Sequence, residues 1–487
     1  MKKRFLASCL ALVIAISVLS GCTPAEKDSS GNGSDKVTVS ISFWEPSTNR
    51  EMETSLKQIT ASYTALHPNV EFDLQSQPVA GYQDWLKARI AADEAPTIQE
   101  NHAGILGDQF KRGYIMDIKE EFGKPNPYAN NTIWKDIFQD GRLDVAHEYS
   151  YDPTYAVPFS GMGIAYFYNK DLYEKLSLKE PDTWQEFMAN CEVIKGEKIN
   201  PVAMMLMKRD AVMWFSWYVS TGLFANYYLA NPDINPNGDL VVHDKELTRA
   251  IKDGKFDYTK GMEEKAFNKF LDIAEQLGKY AEGATGLDEA GAKAQFLGGK
   301  AAHIMSGSWD KKAFTENQSF KVGVFKLPAF TTEDSEYASS NMRTTAAQVF
   351  GITKSANKSK AETDAGADFL KYFTAPDNYK IFVESTFSIP VIKDMKIDAM
   401  YDAFLGGSNN TLEVFAKGGP TSAANCTIAT SMAMSGKPYD RKKLLSELQT
   451  AADEFADMII EKNEVNAANN YGVDEIPVQG KFAPTKP

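Results

Sequence analysis

Between Val37 and Leu74 the spacing of apolar residues changes twice, and that double change restricts the fold more than any other feature of the chain. Val37, Val39, Ile41 and Phe43 alternate with polar residues, the period of a strand with one apolar face. Met52, Leu56, Ile59, Tyr63 and Leu66 then follow at intervals of three and four, which is one face of a helix. His67-Pro68-Asn69 interrupts that face, and Val70, Phe72 and Leu74 alternate again. Strand, helix and strand in this order make a β-α-β unit, so the chain is an α/β protein with a parallel or mixed sheet. A second helix is expected from Gly81 to Ala92, ended by Pro96, with a short strand through Ile98. Ligands of open α/β sheets bind at the carboxyl ends of strands. Trp44-Glu45-Pro46-Ser47 and Glu100-Asn101-His102 are therefore expected to be neighbours in space. Leu444, Leu448, Ala451, Phe455 and Met458 predict another helix near the C-terminus, followed by a loose tail from Gly480 to Pro487.

The N-terminus carries a different instruction. Lys2, Lys3 and Arg4 precede a nearly unbroken apolar run from Phe5 to Leu19, the pattern of a secretory signal over residues 1–21. The run falls short of the roughly 20 apolar residues a spanning helix needs. It ends in Leu19-Ser20-Gly21-Cys22, which resembles the lipobox of bacterial lipoproteins, where the cysteine takes a diacylglycerol and becomes the new N-terminus. Two or three acyl chains on Cys22 would make a stable membrane anchor, since one chain binds only marginally. The Ser, Gly and Asn residues that follow describe a flexible tether over residues 22–36. Behind it stand about 450 residues, too many for one hydrophobic core, so two domains are expected.

Composition narrows the function by exclusion. The full chain carries a formal charge of -13, and loss of the signal makes it three charges more negative. An acidic body has no electrostatic case for nucleic acid or an anionic lipid surface. Cys9 leaves with the signal, and Cys191 and Cys426 are too few for a disulfide framework; they are buried thiols or a single bridge. There is no Gly-rich phosphate loop, no G-x-S-x-G elbow and no C-x-x-C. The five histidines lie without ligand spacing. No cofactor is implied.

One stretch has two readings. Asp233, Asn235, Asn237, Asp239 and Asp244 around Gly238 match the oxygen positions of a calcium loop. Pro236, Val241 and the short Asp244 depart from that pattern, and the same residues also make an Asn-Gly turn in a surface hairpin with Leu240 to Val242 returning.

Further along, Tyr155-Ala156-Val157-Pro158 is followed by Tyr168-Asn169-Lys170-Asp171-Leu172-Tyr173 and by Pro181-Asp182-Thr183-Trp184-Gln185-Glu186-Phe187. Then come Phe296-Leu297-Gly298-Gly299-Lys300-Ala301-Ala302, Gly307-Ser308-Trp309, Val322-Gly323-Val324 and Leu327-Pro328. In order and spacing this series resembles the extracellular solute-binding proteins of carbohydrate-uptake ABC transporters, the maltodextrin-binding type. The likeness covers most of the chain from Trp44 to about Pro390. It implies a two-lobed, periplasmic-binding-protein-like α/β fold with a hinge and an interlobe ligand cleft. By analogy, lobe 1 takes residues 37–157 plus 344–391 and lobe 2 takes residues 158–343 plus 392–487. Thr183 is expected to cap a helix, with Glu186 completing a capping box.

A sugar offers hydroxyls and an apolar face, so its site needs flat aromatics and polar groups that hydrogen-bond. The resemblance makes Trp309 the stacking tryptophan, with Asp310 beside it either bonding hydroxyls or merely solvated. Trp44 and Glu45 end the first strand where such clefts are lined, and Asn101 and His102 end the next family-matched strand. Trp214 and Trp217 lie on an aromatic helix that is core for the most part, and these two are its candidates to face the cleft. Phe159 and Ser160 follow the first crossover, and Arg343 lies near the second, placed to bond a uronate or to brace the hinge. The function implied is a lipid-anchored receptor on the outer face of a Gram-positive-type cell membrane that binds an oligosaccharide and delivers it to an ABC permease. The alternatives are a lipid-anchored glycosidase and a surface sugar sensor or adhesin.

Overall fold

A computed structural model describes residues 36–45, 50–140, 142–146, 154–239, 242–316, 319–339, 345–395, 399–404 and 419–476. The signal, Cys22, nearly all of the tether, Arg343 and the C-terminal tail lie outside them.

The double change of period is a β-α-β unit. Strand β1 (Val37–Glu45) lies parallel to β2 (Val70–Pro78), and the helix Glu51–Leu66 connects them. Leu56, Ile59 and Tyr63 are buried, whereas Leu66, expected on the same face, is 60% exposed at the last turn. On the other edge of β1 runs β3 (Ile98–His102), also parallel. The helix between β2 and β3 is Tyr82–Ala91, and Gly81 caps it with φ +95°, a conformation costly for any residue with a Cβ.

The remaining strands are β4 (Val157–Asn169), β5 (Asn200–Ala203), β6 (Ala301–Gly307), β7 (Val322–Phe325) and β8 (Thr345–Ile352). Their order is β2-β1-β3-β8-β4-β6-β5, with β7 also on β4. The sheet is mixed: β8 is antiparallel to β3 and β4, while β5 is parallel to β6. Strand β4 changes partners along its 13 residues. From Val157 to Gly163 it pairs with β8, and from Ile164 to Asn169 with β6 and β7. A bulge at Pro158–Ser160 accommodates a residue that has no N–H for the ladder.

The core divides at the same strand. Val157 and Phe159 join Ile41, Phe43, Leu56, Ile98, Phe350 and Phe373 in one cluster. Tyr166 and Tyr168 join Trp184, Phe187, Phe215, Phe267 and Leu448 in a second. Ala165 and Phe167, on the opposite face of the strand, join Ile304, Phe314 and Phe404 in a third. Each fully buried aromatic contributes roughly 1.5–3 kcal/mol, so these clusters dominate the stability.

Other expectations meet the structure in detail. Thr183 caps the helix Trp184–Gly196, its hydroxyl accepting from Glu186 N at 3.3 Å while Glu186 accepts from Thr183 N at 3.1 Å. The C-terminal helix is Arg441–Asn463; Leu444, Leu448, Ala451 and Phe455 are buried, but Met458 is 45% exposed and Ile459 takes the inward position. Cys191 and Cys426 are both free and buried, so no bridge joins them. Among the described residues no helix is long and apolar enough to cross a membrane.

Candidate functional site

Strands β1 and β3 run side by side, so the ends expected to be neighbours are neighbours. The Trp44 N–H donates to Glu100 Oε2 at 2.9 Å, and the Trp44 ring lies 5.1 Å from the His102 ring and 5.0 Å from that of Tyr82. Strand β1 runs to Glu45 and β3 to His102, so all of these described residues except Tyr82 lie in the strands themselves.

The acids at this edge are unusual. Glu45 is buried, with Oε2 accepting from Glu53 N at 2.9 Å and Arg50 Nε standing 3.7 Å from Oε1. Burial outweighs both partners and pushes its carboxyl up to about 7. Glu100 is fully buried and raised well above the carboxylate range, again by desolvation, with Oε1 unpartnered among the described residues. Asn101 is also fully buried; its Oδ1 accepts from Gln83 Nε2 at 2.9 Å, and its Nδ2 donates to Gln99. His102 keeps an exposed edge, yet crowding lowers its pKa, opposed by the charge of Asp210. Asp210 stands at the start of the helix Arg209–Ala230, so this helix approaches the β3 end.

The same helix carries a second aromatic group. Trp214 meets Trp309 edge to face, with ring centroids 5.3 Å apart, and Lys208 Nζ lies 5.1 Å over the Trp214 ring. Trp309 is 41% exposed, among the few large apolar side chains that are. It sits in a short 3-10 turn, Ser308–Asp310, after β6. Gly307 makes room for it: a Cβ there would fall 2.2 Å from the indole ring. Asp310 is buried, accepting from Lys293 Nζ at 2.6 Å and from Ser306 Oγ at 2.5 Å. Glu289 links Lys293 at 2.7 Å to Lys208 at 2.6 Å, so the charges around the tryptophan pair form a continuous, neutralised frame. An ion pair between Lys312 and Glu51 joins the short helix after that turn, Lys311–Thr315, to the first helix.

Not every expected residue lines this region. Phe159 has no exposed surface, stacking on Phe350 at 4.1 Å, and Ser160 is buried with its hydroxyl on Gly161 O. Both are core because β4 is covered on both faces. Trp217 is half-buried, and its indole nitrogen is buried without a partner among the described residues. Tyr82, Lys208, Asp210, Glu289 and Lys293 are additions from the structure. Nothing local in the sequence marks them, since their partners are remote in the chain. Of the calcium pattern, Asp233 turns toward Lys255, 3.6 Å away. Asn235 spans the turn by donating to Leu229 O and Asp239 O. Val242 is not in a strand, and Leu240 and Val241 lie outside the described residues.

Residues 58–403 match a family model described as bacterial extracellular solute-binding protein. A multiple sugar-binding protein of Streptococcus mutans is 27% identical over 190 residues, 38% of this chain and 40% of that relative's length. The melibiose/raffinose/stachyose-binding protein MelE of Bacillus subtilis is 23% identical over 403 residues, 80% of this chain and 82% of its own. Among solved structures, a chitin oligosaccharide binding protein superposes with a TM-score of 0.63 at 18% identity, covering 87% of this chain and all of its own. RafE from Streptococcus pneumoniae, in its apo form, gives 0.62 at 18% identity, covering 88% of this chain and all of its own. At these identities the structural likenesses are of fold.

Proposed function

The chain belongs to the bacterial extracellular solute-binding proteins, and from that premise we propose that it captures an oligosaccharide outside the cell and presents it to an ABC transporter permease. It is a binding protein of that family and not an enzyme. The observation that carries the choice of ligand is the Trp214–Trp309 pair, with an exposed indole held in a frame of satisfied charges. An exposed aromatic face binds the apolar side of a sugar ring, and nearby polar groups orient its hydroxyls. The relatives named for sugars support the same class.

Trp309, Asp310, Trp214, Trp44, Glu45, Asn101 and His102 are the binding group in this reading. Trp309, Trp214 and Trp44 supply surface, His102 a polar edge, and the buried Asp310, Glu45 and Asn101 hold their neighbours. Lobe 1 takes residues 37–157 plus 344–391, and lobe 2 takes residues 158–343 plus 392–487. The change of partners along β4 supports a hinge there. Ligand touching both aromatic groups stabilises the closed form, which the permease recognises. Cys22 anchors the protein by its acyl chains to the outer face of the membrane.

The test is a panel of oligosaccharides read by tryptophan fluorescence and by chromatography of the sugar. Saturable 1:1 binding with the sugar recovered intact is expected, weakened at least tenfold in Trp309→Ala. Affinity unchanged in that variant removes Trp309 from the site, and turnover of the sugar overturns the receptor reading.

A further inference from the structure

Away from the aromatic groups, the connection that follows the helix Arg209–Ala230 gathers a second set of polar side chains. Asp239, His243 and Glu246 each offer a ligand atom, and these atoms lie within 4.8 Å of one another. Asp239 and Glu246 are fully buried, and His243 is partly so. His243 Nε2 stands 3.1 Å from Asp239 Oδ2. Glu246 Oε2 accepts from His243 N at 2.8 Å, while Oε1 is buried with no hydrogen-bond partner among the described residues. Among the described residues Asn235, 2% exposed and donating to Asp239 O at 2.9 Å, also leaves Oδ1 without one.

A buried carboxylate oxygen without a partner bears its whole desolvation cost, and a second buried carboxylate beside it raises that cost. The nearby cations are turned elsewhere. Lys245 reaches Glu475, Arg249 donates to Pro232 O and Asp233 O, and Lys255 faces Asp233. Lys245, Arg249 and Lys255 thus direct their charge away from the point where the ligand atoms converge.

We propose that Asp239, His243 and Glu246 bind one divalent transition-metal ion, with Asn235 Oδ1 or water completing its shell. Two ligands about 2.1 Å from a metal stand no more than about 4.2 Å apart, so the group closes on an ion with sub-ångström movements. The imidazole favours zinc over the hard cations calcium and magnesium, once the proton sits on Nδ1 and the Nε2 lone pair is free. This is not the calcium loop of the sequence pattern, because Asp233 and Asp244 take no part. The ion would pin the helix Asp244–Lys252 to the end of the helix that carries Asp210 and Trp214.

The full chain, stripped with a chelator, is titrated with Zn2+, Mn2+ and Ca2+ by calorimetry and thermal unfolding, and with Co2+ by visible absorbance. Zinc is expected to bind 1:1 and raise Tm, and cobalt to give a d–d band. Both effects should weaken by roughly 100-fold or more in Glu246→Gln and in His243→Gln and survive in Asp233→Ala, since even outer-shell changes cost 10–100-fold. If the buried Glu246→Gln does not fold, His243→Gln, at the partly exposed position, decides. The proposal fails if no ion binds 1:1, if zinc binding is unchanged in His243→Gln, or if calcium alone binds and Asp233→Ala abolishes it.

Discussion

Glu45 sits at the end of β1 with its carboxyl pushed up to about 7, because burial outweighs the Glu53 N–H and the Arg50 charge. The folded chain thus holds a proton on this side chain that the unfolded chain releases near 4.5. With the folded pKa above the unfolded one, the stability it confers is complete below pH 4.5 and is lost as pH rises through about 7. Glu45→Gln removes that titration, so the variant should show a flatter decline in Tm between pH 4.5 and 7 and match or exceed the parent at pH 8. An unaltered slope in Glu45→Gln would assign the titration to another group, with Glu100 first in line. At this scale the sequence is informative about kind and poor about company. Trp309 stands out as a tryptophan after a Gly-x step, and the structure explains the glycine by the ring that covers it. Phe159 reads the same whether it faces a cleft or a core, since the pattern does not reveal that β4 is covered on both faces. The frame of Lys208, Glu289, Lys293 and Asp310 spans about a hundred positions of sequence, and charged residues that distant carry no mutual signal.

Elements were the most legible level, because their signals are local. The two-to-3.6-to-two change of period located β1, its helix and β2, and the Thr183–Glu186 box located the start of a helix to the residue. That box closes two N–H groups of the first turn, and its hydroxyl half is worth about 1 kcal/mol. Thr183→Ala should lower the unfolding free energy by about that amount in urea, with Thr183→Ser recovering most of it. Equal losses in both variants would mean that the methyl group, not the hydroxyl, is what matters. Where a helix has two candidate inward positions, local pattern fails by one residue. Met458 and Ile459 are both apolar, and only the packing of Arg441–Asn463 against its neighbours turns Ile459 inward.

For the molecule as a whole, the order of the strands could not be read from the chain. Strand β8 returns almost 250 residues after β3 to pair with it, and such non-local pairings are set by packing rather than by any local pattern. The resemblance to a family supplied what periodicity could not, since it rests on the order of motifs over most of the chain. Anchorage is likewise a property of the whole molecule. The proposed lipid on Cys22 predicts that the parent chain partitions into the membrane fraction and takes up labelled palmitate. Cys22→Ala should appear soluble and unlabelled in the medium while its sugar affinity stays within twofold of the parent's. Membrane association that persists in Cys22→Ala would place the anchor elsewhere.

Strand β4 exchanges its hydrogen-bonding neighbours between Gly163 and Ile164. One stretch of backbone is therefore shared by β8 on one side of that junction and by β6 and β7 on the other. If the proposed hinge lies there, rotation of one side against the other would twist the backbone at that junction. An environment-sensitive dye at the half-buried Met162 would report occupancy from a position outside the tryptophan pair, making the spine of the fold a readout for a reagentless sugar sensor.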